Sequence, residues 1–80
     1  MIKEVSKGHI CVELSGKTAT LPGEMFFPPN GKLGFALSVG GIKYWDSPYQ
    51  DEEISEKERD ALIEEIRNDF AKGGHTLELE

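Results

Sequence analysis

The chain has 80 residues, a single cysteine, and 15 acidic side chains against nine Lys and Arg, for a net charge of −6 and a pI near 4.8. That length is one small domain, residues 1–80, which buries only about 60% of its unfolded surface and has little volume to give to a deep enclosed pocket. Cys11 alone excludes an intrachain disulfide, the lack of clustered Lys and Arg argues against a nucleic-acid partner, and the apolar runs are too short to span a bilayer; the expectation is a soluble protein of the cytoplasm.

The first half reads as strands. "MIKEV" gives a short strand, with a turn at Lys7-Gly8. In "HICVELSGKTATL", Ile10, Val12 and Leu14 alternate with His9, Cys11 and Glu13, the period of a strand with one buried face. Ser15-Gly16 suits a two-residue hairpin turn. Closing Leu14 on Lys17 sets Val12 opposite Ala19 and Ile10 opposite Leu21, so four apolar residues share a face. Pro22-Gly23 is expected to end this hairpin. Met25 to Phe27 form a short strand stopped by Pro28-Pro29, with a further turn signal at Asn30-Gly31. In "KLGFALSVGGIKYW" the alternation of Phe35, Leu37 and Val39, a turn at Gly40-Gly41, and the return of Ile42 and Tyr44 predict a second hairpin. Ala36, Lys43 and Trp45 then occupy its other face, which leaves Trp45 exposed or half-exposed if the helix covers the first.

"DSPYQDEE" reads as a loop, since Pro48 is incompatible with a central strand. Ser55 followed three residues later by Glu58 is a capping box, and Glu56 and Glu58 suit the positive end of a helix dipole. Leu62, Ile63, Ile66 and Phe70 form one apolar stripe, and Lys72 with Gly73-Gly74 closes a helix over about 55–72. "HTLELE" gives a final strand over 75–80 with Leu77 and Leu79 facing inward; Leu79-Glu80 also matches the start of a common expression-vector tail, and the alternation fits either origin. The expected fold is α+β: an antiparallel sheet of five or six strands built from hairpins, with one helix packed on a face.

Catalytic and metal-binding patterns are weak. His9, Cys11 and His75 are too few and too scattered for a zinc site without further ligands. A nucleophile–base–acid trio assembled from Cys11, His75 and a carboxylate is available in almost any small protein. The acids at 51–58 lack the spacing of a calcium loop, and the glycines suit turns rather than a phosphate cradle. No catalytic residue, metal or cofactor is therefore assigned.

Charge is the stronger signal. Residues 1–45 hold five lysines against three glutamates, whereas residues 46–80 hold twelve acids against four basic side chains. In "KYWDSPYQDEEISEKE" the only tryptophan and both tyrosines stand beside a run of acids. Trp45 and Tyr49 are candidate apolar anchors, with Asp51, Glu52, Glu53, Glu65 and Asp69 as a candidate acidic docking surface. Glu65 and Asp69 repel at i,i+4, as do Asp60 and Glu64. The plainer alternative is a solvated strand-to-helix connector and a solvated helix face.

The "VELSGKTATLPGEM" hairpin, the strand ending in aromatics, the loop with Trp45, Pro48 and Tyr49, the Ile-Ser before the helix, and the Gly pair before an alternating strand together resemble a family of small bacterial immunity proteins of polymorphic toxin systems, the seventy-fourth of its numbered series. The likeness covers nearly the whole chain. It implies a cytoplasmic protein that binds the C-terminal catalytic domain of a cognate toxin, blocks it, and performs no reaction. It carries over no site residue. A basic toxin would suit the acidic half through steered association. The alternatives are a generic interaction module or subunit of a larger assembly, and, less favoured, a small enzyme using His9, His75 or Cys11. The chain is a monomer or, by pairing of a free sheet edge, a homodimer.

Overall fold

The computed structural model describes residues 1–29 and 31–80. In chain order the elements are β1 (Ile2–Val5), β2 (His9–Leu14), β3 (Lys17–Phe26), β4 (Gly34–Leu37), a single 3-10 turn (Val39–Gly41), α1 (Glu56–Gly73) and β5 (Thr76–Leu79). The five strands form one sheet in the order β1-β2-β3-β4-β5.

The first hairpin has the register set by its apolar alternation: Leu14↔Lys17, Val12↔Ala19 and Ile10↔Leu21. Ser15 and Gly16 both take positive φ, 53° and 81°, the conformation of a turn whose twist matches the strands it joins. Ile10, Val12, Ala19 and Leu21 are almost completely buried. β1 folds back on β2 through the Ser6–His9 turn, closed by the Ser6 N–H on the His9 carbonyl.

Pro22-Gly23 does not end the hairpin. β3 runs on to Phe26 and changes partner at this point, pairing with β2 up to Pro22 and with β4 from Gly23↔Leu37 to Phe26↔Gly34. Proline is tolerated because its missing N–H falls at the end of the β4 ladder, while its carbonyl still accepts from Ser38 N–H at 2.9 Å. Nor is Gly23 a turn residue. The ring of Phe35 lies where a Cβ at position 23 would sit, and Phe26 likewise covers Gly34. These two glycines make room for aromatic rings across the β3–β4 pair, so turn chemistry does not account for them. Asn30, half of the expected Asn30-Gly31 turn, lies outside the described residues.

The second hairpin expected over 35–44 does not form. The chain leaves the sheet at Leu37 and turns through Val39–Gly41. Ile42 and Trp45 then enter the core, and Tyr44 is left exposed, with a lone bridge to Glu53. The place beside β4 goes instead to β5, paired in parallel from Gly34↔Thr76 to Leu37↔Leu79. The sheet is therefore mixed rather than wholly antiparallel. The helix explains the direction: 18 residues of α1, rising about 1.5 Å each, carry the chain back along the sheet, so β5 starts from the same end as β4.

α1 has the expected ends. Glu58 N–H donates to Ser55 Oγ (3.1 Å) and Ser55 N–H donates to Glu58 Oε1 (2.9 Å). Gly74 takes a left-handed φ of 72°, and His75 N–H closes on the Phe70 carbonyl. The stripe Leu62, Ile63, Ile66 and Phe70 is buried against Ile10, Val12, Leu21, Phe35 and Leu37 in one core, with Ile42 and Trp45 included. Each such side chain contributes roughly 1.5–3 kcal/mol on burial.

Candidate functional site

β3 is longer than its partners. Its second half pairs with β4, which leaves the edge at Thr18 to Thr20 without a strand. The connector 38–55 fills that gap. Asp46 N–H donates to the Thr18 carbonyl at 2.8 Å, Thr20 N–H donates to Asp46 Oδ1 at 3.2 Å, and Thr20 Oγ1 donates to Asp46 Oδ2 at 2.7 Å. One residue thus replaces a neighbouring strand, its side chain supplying the acceptor that a backbone would otherwise provide. Within the connector, Ile54 N–H meets the Lys43 carbonyl, Trp45 N–H meets the Glu52 carbonyl, and two successive turns close at Tyr49 and Glu52. The Ser47-Pro48 bond is cis.

Trp45 is 2% exposed. The expectation of an exposed or half-exposed Trp45 fails because it assumed a hairpin through residue 45; without that strand the indole packs inward and extends the core beneath the connector. Its N–H has no hydrogen-bond partner among the described residues. Tyr49 is 38% exposed.

Lys17, at the start of β3, gathers these groups. Its Nζ donates to Glu52 Oε1 at 2.8 Å and stands 5.5 Å from the Trp45 ring centre and 5.3 Å from that of Tyr49. The Glu52 carboxylate raises the Lys17 pKa, and Glu58 adds to the effect. The Glu58 carboxyl is held below its ordinary value chiefly by the Ser55 N–H, then by the Ser55 hydroxyl and the Lys17 charge. The Trp45 indole favours the same charged form without closing a hydrogen bond of normal geometry.

Of the seven sequence-predicted residues, Trp45, Tyr49 and Glu52 therefore converge on Lys17. Asp51 and Glu53 are exposed beside them. Glu65 and Asp69 are exposed on α1, seven and eleven residues beyond Glu58, which puts all three on one line down the helix. At about 1.5 Å per residue that line is about 16 Å long. Glu65 is 3.4 Å from the N-terminal ammonium of Met1. Sequence reasoning missed Lys17 and Asp46. The Asp-Ser-Pro turn gave a weak hint for Asp46; a lysine at a hairpin tip gave none.

The other candidates separate. His9 and Cys11 share the sheet face opposite the helix, whereas His75 sits before β5, accepting from Leu33 N–H through Nδ1 and meeting Phe70 edge-on. His9 does contact a hydroxyl and a carboxylate, with Nδ1 2.9 Å from Ser6 Oγ and Nε2 3.2 Å from Glu4 Oε1. Ser6 Oγ also donates to the His9 carbonyl at 3.3 Å, so its proton is engaged in holding the β1–β2 turn. Among the described residues there is no pocket and no group of three or more His, Cys, Asp or Glu side chains placed to hold a metal ion. Among the described residues, no helix is long and apolar enough to cross a membrane.

No curated protein and no solved structure matches this chain significantly. A family model does: the one described as Immunity protein 74 matches residues 2–80. A sheet-and-helix domain with an acidic connector, matched over nearly every residue, belongs to the Immunity protein 74 family.

Proposed function

We propose that this protein confers immunity by binding the C-terminal domain of a cognate toxin in the cytoplasm of the cell that makes it, and that it acts by occlusion, without catalysis. The family match over residues 2–80 carries this reading. The charge distribution supports it. The connector and α1 hold most of the acids of a chain whose net charge is −6, and an acidic surface attracts a basic domain from a distance and speeds its docking.

The proposed contact surface is Tyr49, Asp51, Glu52 and Glu53 on the connector, continued by Glu65 and Asp69 along α1. Trp45 supports that surface from below and holds the connector in place. Lys17 pairs with Glu52, whereas Asp51 and Glu53 have no ion-pair partner among the described residues and present the charge of the loop. A line of about 16 Å on the helix together with the connector fits within one side of an ordinary interface, about 800 Å² per partner.

Co-expression with the toxin-like open reading frame next to its gene tests the reading. Rescue of growth and co-purification of a stable complex are expected. Toxicity unchanged by co-expression, with no complex, would remove immunity by binding and leave a generic interaction module as the better description.

A further inference from the structure

The sheet has two edges, and they differ. β1 is guarded: its pairing with β2 is interrupted by a bulge between Ile2 and Glu4, Lys3 lies on it paired with Glu13, and the Met1 ammonium is fastened to the Glu13 carbonyl. A bulge and an edge lysine are both devices that keep other strands away. β5 has neither. Its register with β4 is continuous from Thr76 to Leu79, and it holds no proline, lysine or bulge.

The hydrogen bonds show which groups β5 leaves open. Thr76 N–H donates to the Leu33 carbonyl, Glu80 N–H donates to the Leu37 carbonyl, and the Glu80 carbonyl accepts from Val39 N–H. Residues 76, 78 and 80 therefore direct their backbone groups toward β4. By alternation, Leu77 and Leu79 turn theirs to the free edge. Leu79, expected from the alternation to face inward, is 45% exposed.

Charge selects the occupant. Pairing with a second copy that matched Leu77 to Leu79 would set Glu78 directly opposite the Glu78 of the other chain, which is destabilising. A strand with basic residues opposite Glu78 and Glu80 meets the reverse situation. Because β5 runs parallel to β4, it carries these two acids toward the end of the molecule where the connector lies.

We propose that the free edge of β5 is a strand-docking site, taking an extended segment of the toxin domain. Basic side chains of that segment face Glu78 and Glu80, and apolar ones continue the face of Leu77 and Leu79. This rests on the immunity reading above and adds a second contact to it, made by the backbone.

The test uses the whole chain and the toxin domain encoded beside it. Leu79→Pro deletes an outward N–H without touching the bonds to β4, and Leu79→Val keeps it. The proline variant is expected to weaken the complex by about tenfold or more and the valine variant by less than about threefold. Hydrogen exchange at the Leu77 and Leu79 amides should slow in the wild-type complex, a readout that stands even if the proline variant fails to fold. Unchanged exchange at both amides, or full affinity in folded Leu79→Pro, overturns the proposal while leaving the immunity reading intact. A wild-type chain that does not bind the toxin domain at all removes both. A dimer abolished by Leu79→Pro, with toxin binding unchanged, assigns the edge to a second copy and overturns the proposed occupant.

Discussion

The hairpin of β2 and β3 and the connector 38–55 are similar in length and are held in different ways. The hairpin is organised by near neighbours: alternating apolar residues and a two-residue turn fix its register. The connector has almost no repeating structure. It is held by residues far away in sequence, with Asp46 on Thr18 and Thr20, Lys17 on Glu52, and Trp45 in the core. A segment without regular secondary structure can thus be as firmly placed as a strand, when its side chains meet the backbone groups a missing strand leaves open. For an interaction surface this has a direct advantage, because a pre-formed loop loses less conformational entropy on binding.

The sharpest way to break the comparison is to remove the connector's anchor. Trp45→Ala is expected to destabilise the fold by about 3–5 kcal/mol, in the range of a large-to-small change in the helix stripe such as Ile66→Ala at about 2–5 kcal/mol. Urea unfolding measures both; a Trp45→Ala cost near zero would mean that the connector is a passive linker. Asp46→Ala comes next. It removes the partner of the solvent-exposed Thr20 N–H and hydroxyl at the β3 edge, where water takes its place, and about 0.5–1.5 kcal/mol is expected. Faster hydrogen exchange at Thr20 than at the paired hairpin residues would localise the effect.

Smaller effects sharpen the junction between connector and helix. Ser55→Ala removes half of the capping box and should cost about 1 kcal/mol by thermal unfolding. Glu58→Gln acts through pH. The folded-state pKa of Glu58 lies below its ordinary value of 4.5, so its charge adds stability that is full above that value and is lost as pH falls through the folded value. Wild type and Glu58→Gln should therefore differ at neutral pH and converge in acid. Lys17 has the opposite sign: its pKa lies above 10.5, so its contribution is full below 10.5 and fades as pH rises beyond.

The same contrast explains what was legible in the sequence. The hairpin register, the capping box, the helix stripe and the final strand all depend on residues within a turn or two of one another, and each was readable from spacing. The alternation of Phe35, Leu37, Val39, Ile42 and Tyr44 looked like another hairpin, yet the position beside β4 was taken by β5, a pairing made across about forty residues. Losing that hairpin also reversed the placement of Trp45. The acids of the candidate surface were legible as exposed because charge alone keeps them in water. Their relation to Lys17 was not, since an ion pair spanning 35 positions leaves no local pattern.

The central claim is that an acidic, pre-formed surface on the connector and helix captures a basic toxin domain. The most direct measurement is the association rate with that domain at several salt concentrations, for the wild type and for a variant carrying Asp51→Asn, Glu53→Gln, Glu65→Gln and Asp69→Asn. The wild type is expected to associate fast and to slow steeply with added salt; the variant should be slower at low salt, by about tenfold or more, and nearly insensitive to it. Equal rates with equal salt dependence for the two proteins would contradict the claim.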